Sequence, residues 1–167
     1  MAAVERDAQE AGKKAAEIGT AIHAALEGRD LLGKYGEHVK NAMMAIEDYC
    51  PVTNPFEPEK SFSHHLGFGG KVDDYSVDGF VLDYKTTDKD LATIKTWDDH
   101  ALQLAAYRQG LDMPDARCAI VYSHRDTGEA KLIELTEPEL GRGWRMFRNL
   151  LNYWYEKTGL DRDKRHE

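Results

Sequence analysis

Cysteine is scarce in this chain: Cys50 and Cys118 are the only two among 167 residues, far apart and in no C-x-x-C pair. Two thiolates are too few for a zinc or iron–sulfur site, and so sparse a use of cysteine fits a reducing cytoplasm rather than a disulfide framework. Long apolar runs are missing as well. None approaches the roughly 18 residues of a membrane span, so no membrane partner is expected. The N-terminus is charged and alanine-rich without an apolar core, and reads as neither signal peptide nor anchor. Positive charge is in deficit: 22 Lys and Arg face 30 Asp and Glu, a formal net charge of -8. Phosphate contacts supply most of the affinity of a nonspecific nucleic-acid binder, so that class is disfavoured; an enzyme that must release its product is less so. Nucleotide-binding motifs also fail. Gly28 to Tyr35 mimics a phosphate-binding loop, but Tyr35 stands where Ser or Thr would hold Mg²⁺, and the segment follows a helical pattern rather than a strand. Gly67-Phe68-Gly69-Gly70 lacks the glycine spacing and following helix of a dinucleotide site, and suits a strand bend or a close backbone approach by substrate.

What is present is a chain with 41% hydrophobic and 31% charged residues, the balance of a soluble globular protein. Its length fits a single domain over residues 1–167, with a charged tail from about Leu160. Helical spacing runs from about Val4 to Glu27, with Ala16, Ile18, Ala21, Ile22, Ala25 and Leu26 as its apolar stripe. A second helix is predicted from Gly36 or Glu37 to Tyr49, stopped by Pro51, with Val39, Ala42, Met43 and Ile46 inward. Strands follow at about 59–64, 66–75 and 80–86, then a helix over 98–110. A strand pair at 116–122 and 131–135 crosses the Asp126-Thr127-Gly128 turn. The last helix covers 138–158, with Leu140, Trp144, Phe147, Leu150, Leu151 and Trp154 inward. The order implies an α/β fold around a mixed sheet of about five strands flanked by helices.

The chemistry concentrates in Gly70-Lys71-Val72-Asp73 and Asp83-Tyr84-Lys85-Thr86-Thr87, on what read as adjacent strands. Charged groups are costly there unless something needs them. Paired carboxylates can hold Mg²⁺ or Mn²⁺ through hard oxygens, while an ammonium steers an attacking water or steadies charge on a phosphate. Two hairpin registers are open. A two-residue Asp78-Gly79 turn sets Asp74 opposite Asp83. A three-residue Val77-Asp78-Gly79 loop, with Gly79 left-handed, pairs Ser76 with Phe80 and sets Asp73 opposite Asp83 and Lys71 opposite Lys85. Asp74 is therefore kept in reserve. The plainer alternative makes these acidic residues solvated turn groups and Lys85 an edge charge. Phe80-Val81-Leu82 speaks against it, because a strand without polar alternation is buried on both faces.

Other polar residues are weaker signals singly. His23 lies on the apolar stripe one turn before Glu27, a place where a histidine is more often structural than a ligand. Gln103 and Tyr107 are four apart on one helix face, with His100 a turn earlier. Glu59 opens the first strand. Trp97, Trp144 and Trp154 are read as packing residues rather than base-stacking platforms.

In this order, Gly19-Thr20-x-x-His23, Glu59, Gly70-x-x-Asp73, Asp83-x-Lys85-Thr86 and Gln103-x-x-x-Tyr107 resemble the PD-(D/E)xK nuclease superfamily, specifically its RecB-like, phage-type exonuclease branch. The resemblance spans roughly Gly19 to Tyr107 and implies a restriction-endonuclease-like core. It implies Asp73, Asp83, the backbone carbonyl of Tyr84 and His23 as metal ligands, with Mg²⁺ or Mn²⁺ as cofactor. Lys85 would act on the attacking water and the phosphate. Glu59 would polarise a water or hold a second cation. Gln103, Tyr107, Lys71 and Thr87 would meet the substrate. The implied activity is DNA phosphodiester hydrolysis leaving 5′-phosphates, on single strands or ends. A helicase, annealing protein or single-strand-binding protein is the implied partner. Relatives with an iron–sulfur cluster need four cysteines, so that form is set aside. Relatives often carry a longer segment ahead of the Gly-x-x-His helix, which leads us to expect a minimal core with a more open cleft.

Overall fold

Strand β3 (Phe80–Thr87), whose first five residues are all buried, is the middle one of a five-stranded sheet whose strands lie in chain order. The computed structural model describes residues 2–50 and 52–159. The expected tail from Leu160 and the helix stop at Pro51 lie outside them. Among the described residues the elements run α1 (Ala2–Glu27), α2 (Gly36–Tyr49), β1 (Glu57–His64), β2 (Phe68–Ser76), β3, α3 (Asp98–Gly110), β4 (Arg117–His124), β5 (Ala130–Leu135) and α4 (Glu137–Thr158). The expected element order and α/β class are found. β1 and β2 pair antiparallel, as do β2 and β3. β4 runs parallel to β3: the Arg117 amide donates to the Gly79 carbonyl at 2.9 Å where both strands begin. The Arg125 amide donates to the Thr87 carbonyl at 2.8 Å where they end. A parallel neighbour cannot be reached by a tight turn, which is why α3 intervenes. No helix of the described residues is long and apolar enough to cross a membrane.

The chain gathers into two compact units. One comprises α1, α2, Tyr84–Ile94 and Val121–Leu132. Here Ile22 and Leu26 of α1 and Val39, Ala42 and Ile46 of α2 are buried, while Ala16 and Ala21 of the expected stripe are exposed. Only the last two turns of that stripe reach the core. α2 grips the turn between β4 and β5. His38 Nε2 lies 3.1 Å from the Arg125 carbonyl, and the Asn41 amide donates to the Gly128 carbonyl at 2.9 Å. Gly128 takes φ 73°, as its place in the turn requires.

The other unit comprises Cys50–Asp83, Lys95–Ile120 and Ile133–Glu167. Phe62 of β1 packs edge-on to Tyr107 of α3. α3 and α4 cross so closely that a Cβ on Gly143 would lie 2.3 Å from the Ala101 carbonyl oxygen. Arg108 adds a bidentate pair with Glu137 at 2.8 and 3.1 Å. α4 presents Leu140, Leu151 and Tyr155 to the core, whereas Leu150 is 55% and Trp154 41% exposed. The expected inward face is corrected there, because Tyr155 falls in phase with Leu140 and Leu151 and Trp154 lies at its edge. Trp97 is also exposed, as the extended residue before α3, while Trp144 stacks on Phe147. Asp78 in the β2–β3 turn is no idle turn residue. Its carboxylate accepts four hydrogen bonds, from the amides of Thr53 and Asn54 and from both their side chains, and these hold its pKa down at about 2.

Two outcomes follow from this packing. Gly143→Ala forces a methyl onto rigid backbone and should lower stability by about 1–3 kcal/mol, read as a lower urea midpoint at an unchanged m-value. Because the folded pKa of Asp78 lies below the unfolded one, its stabilisation is complete above about pH 4. It disappears as the pH falls through about 2. Asp78→Ala should therefore be less stable than wild type at neutral pH in urea titrations, and the two should converge across that acid window.

Candidate active site

The turn between β2 and β3 selects one register. Gly79 takes φ 97° and donates its amide to the Ser76 carbonyl at 3.0 Å, closing the three-residue loop. Ser76 then pairs with Phe80, Tyr75 with Val81 and Asp74 with Leu82. Strand residues alternate faces, so Asp74 shares a face with Leu82 while Asp73 and Asp83 share the opposite one. All three are buried: Asp73 is 9% exposed, and Asp74 and Asp83 are fully covered. Carboxylates are rarely taken out of water without a cation or a hydrogen-bond network to receive them.

α3 supplies part of that network. The Gln103 amide nitrogen donates to Asp83 Oδ1 at 2.9 Å and to the Tyr107 hydroxyl at 2.8 Å. Four-residue spacing puts Gln103 and Tyr107 on one face, so the tyrosine steadies the amide that holds the aspartate. Gly70 is the complement: a Cβ there would stand 3.0–3.2 Å from the rings of Phe62 and Tyr107, so glycine lets β2 lie close to these rings without displacing them. A strand bend or a close approach by substrate is the expectation for these glycines; at Gly70 the groups that come close are the protein's own aromatic rings.

Glu59 takes φ 58° within β1, and the ladder passes from Pro58↔Asp74 to Lys60↔Val72 without it. Left-handed backbone on a non-glycine residue costs on the order of 1–3 kcal/mol. Glu59 is ion-paired with Lys71, both half-exposed, so two of the expected site residues meet each other.

The end of β3 forms a second group of site residues with α1. Lys85 follows Asp83 by two and so shares its face of the strand. Gly19, His23, Glu27, Lys85, Thr86 and Arg125 are among the residues lining an open cleft of about 690 Å³. A Cβ on Gly19 would stand 2.8 Å from Thr86 Oγ1, which explains a glycine at that point of α1. His23 Nδ1 is 3.1 Å from Glu27 Oε1, and its ring stands edge-on to that of buried Tyr84 at 6.0 Å. Arg29 donates to the Tyr84 hydroxyl at 2.8 Å. Arg125 pairs with Asp88. Thr87 is buried and its hydroxyl accepts the Lys89 amide at 3.0 Å, so its side chain closes the end of β3. Burial pushes the thiols of Cys50 and Cys118 up to about 12, which removes them as nucleophiles at neutral pH.

Glu27 and Arg29 were absent from the sequence-derived set. Glu27 had a readable signal in its four-residue spacing from His23. Arg29 had none, since Tyr84 is remote in sequence.

No family model and no curated protein matches this sequence. Among solved structures, the fold is similar to the crystal structure of a "Putative exonuclease" from Eubacterium rectale. The TM-score is 0.57 at 15% identity, covering 86% of this chain and 67% of that one. At that identity the likeness concerns the fold.

Gly19→Ala would normally gain about 1 kcal/mol of helix propensity. Against Thr86 that gain should vanish, and it should reappear in a Thr86→Ala background. The coupling is measured by a double-mutant cycle in urea.

Proposed function

We propose that this protein is a metal-dependent DNA nuclease, residues 1–167 serving as one nuclease domain of the RecB-like PD-(D/E)xK type. The observation that carries the reading is the pair of buried carboxylates, Asp73 and Asp83, on one face of the β2–β3 hairpin with Lys85 two residues further along the same strand. The likeness in fold to the structure titled "Putative exonuclease" supports it.

The donor set suits a hard divalent cation. Asp73 and Asp83 offer carboxylate oxygens and Tyr84 a backbone carbonyl, the ligand type that Mg²⁺ and Mn²⁺ take, and His23 adds an imidazole that Mn²⁺ tolerates well. When bound, the cation supplies Lewis-acid polarisation of the phosphate. Gln103 keeps the Asp83 carboxylate turned to its task, and Tyr107 keeps Gln103 in place. Lys85 orients the attacking water, helps take its proton and offsets the negative charge that builds on the phosphate oxygens. Attack at phosphorus with departure of the 3′-oxygen leaves a 5′-phosphate. Glu59 and Lys71, held together as an ion pair, and Thr87 complete the proposed set. The substrate is single-stranded DNA or a DNA end, handled with a helicase, annealing protein or single-strand-binding protein in a cytoplasmic setting.

The test is digestion of end-labelled single-stranded, linear duplex and covalently closed circular DNA in Mn²⁺, Mg²⁺ or EDTA. Metal-dependent loss of the linear substrates is expected, with Lys85→Ala slower by about 10²–10³-fold. Cutting of closed circles would instead make the protein an endonuclease on the same site. Equal inertness of wild type and Lys85→Ala in every metal would sink the enzymatic reading in favour of a silent DNA-binding or assembly subunit.

A further inference from the structure

Glu27 occupies an unfavourable place. It is the last residue of α1, where the helix dipole is negative and repels a carboxylate, and no basic residue stands in that turn to offset it. Its side chain is only 17% exposed, so much of its hydration is gone too. The carboxylate touches His23, one turn back on the same helix face, with Nδ1 at 3.1 Å from Oε1.

We propose that Glu27 is the positioning residue for His23, holding the proton on Nδ1 so that Nε2 carries the lone pair. A carboxylate oxygen only accepts, so the Nδ1 side of the contact must carry the hydrogen, and in the neutral ring this leaves Nε2 as the donor atom to a metal. Free imidazole side chains in water favour the opposite tautomer, which makes the preference a property the protein imposes. The ring plane is held from a second direction by Tyr84, edge-on and buried, whose hydroxyl is fixed by Arg29. Metal-ligating histidines characteristically give their other N–H to a carboxylate, which fixes orientation and raises basicity. The consequence for metal affinity rests on the proposed function; the tautomer itself does not.

The experiment has two independent readouts. Long-range ¹H–¹⁵N spectra of the metal-free protein, at a pH where His23 is neutral, should show the Nδ1–H tautomer in wild type and in Glu27→Gln, whose amide oxygen still accepts. Glu27→Ala should revert to Nε2–H. Mn²⁺ titration calorimetry without DNA should then show affinity about tenfold or more weaker in Glu27→Ala, with Glu27→Gln retaining most of it. In a His23→Ala background, Glu27→Ala should add no further loss. An Nε2–H tautomer in wild type overturns the proposal without recourse to any variant. So does loss of Mn²⁺ in Glu27→Gln as complete as in Glu27→Ala, which would make Glu27 a ligand in its own right. The expected tautomers with no Mn²⁺ binding to wild type would uphold the positioning of His23 and refute the metal-dependent nuclease.

Discussion

The constraint on which the rest depends is the burial of carboxylates on the β2–β3 hairpin. A charge removed from water has to be met by hydrogen bonds or a counter-charge, and here Asp83 is met by the Gln103 amide, itself steadied by Tyr107. That contact sets α3 against the hairpin, where glycine at position 70 leaves room for the Phe62 and Tyr107 rings. It also makes the register of the hairpin consequential. A slip of one residue would exchange the faces of Asp73 and Asp74, and the left-handed Gly79 is what prevents it. One backbone conformation in a turn thus decides which carboxylate stands beside which.

The same logic explains features that look costly in isolation. Glu59 adopts a left-handed backbone within a strand and is engaged by Lys71. Glu27 sits at the wrong end of a helix dipole and is engaged by His23. Asp78 lies in a turn and is drawn into the preceding loop by four donors. Each local cost is offset by a contact remote from simple propensity. Of these, the contacts of Glu59 and Glu27 fall on residues proposed to act on metal or substrate.

Much was legible beforehand because it is periodic or local. The α3 limits, Asp98 to Gly110, are those expected from the sequence, and the Val77-Asp78-Gly79 loop is one of the two that turn chemistry allows. Errors came where a helix face is wide and its edge ambiguous: Leu150 and Trp154 are apolar yet exposed, and Ala16 and Ala21 are small enough to sit at either surface. Asp78 is exposed, as a turn residue commonly is, but nothing in the turn announces that Thr53 and Asn54 will reach it. Glu27 stood in plain view at helical spacing from His23, but a carboxylate on a helix is ordinarily a solvated group.

By itself, the sequence determined the α/β class, the order of the elements and the short list of residues proposed for the site, since periodicity, turn chemistry and residue type are local properties. Only the tertiary structure decided between the two hairpin registers, joined Gln103 to Asp83, brought Arg29 to Tyr84 and set Lys71 on Glu59. These are contacts between segments distant along the chain. Their partners are chosen by which buried polar group most needs one, and that need exists only once the core has formed.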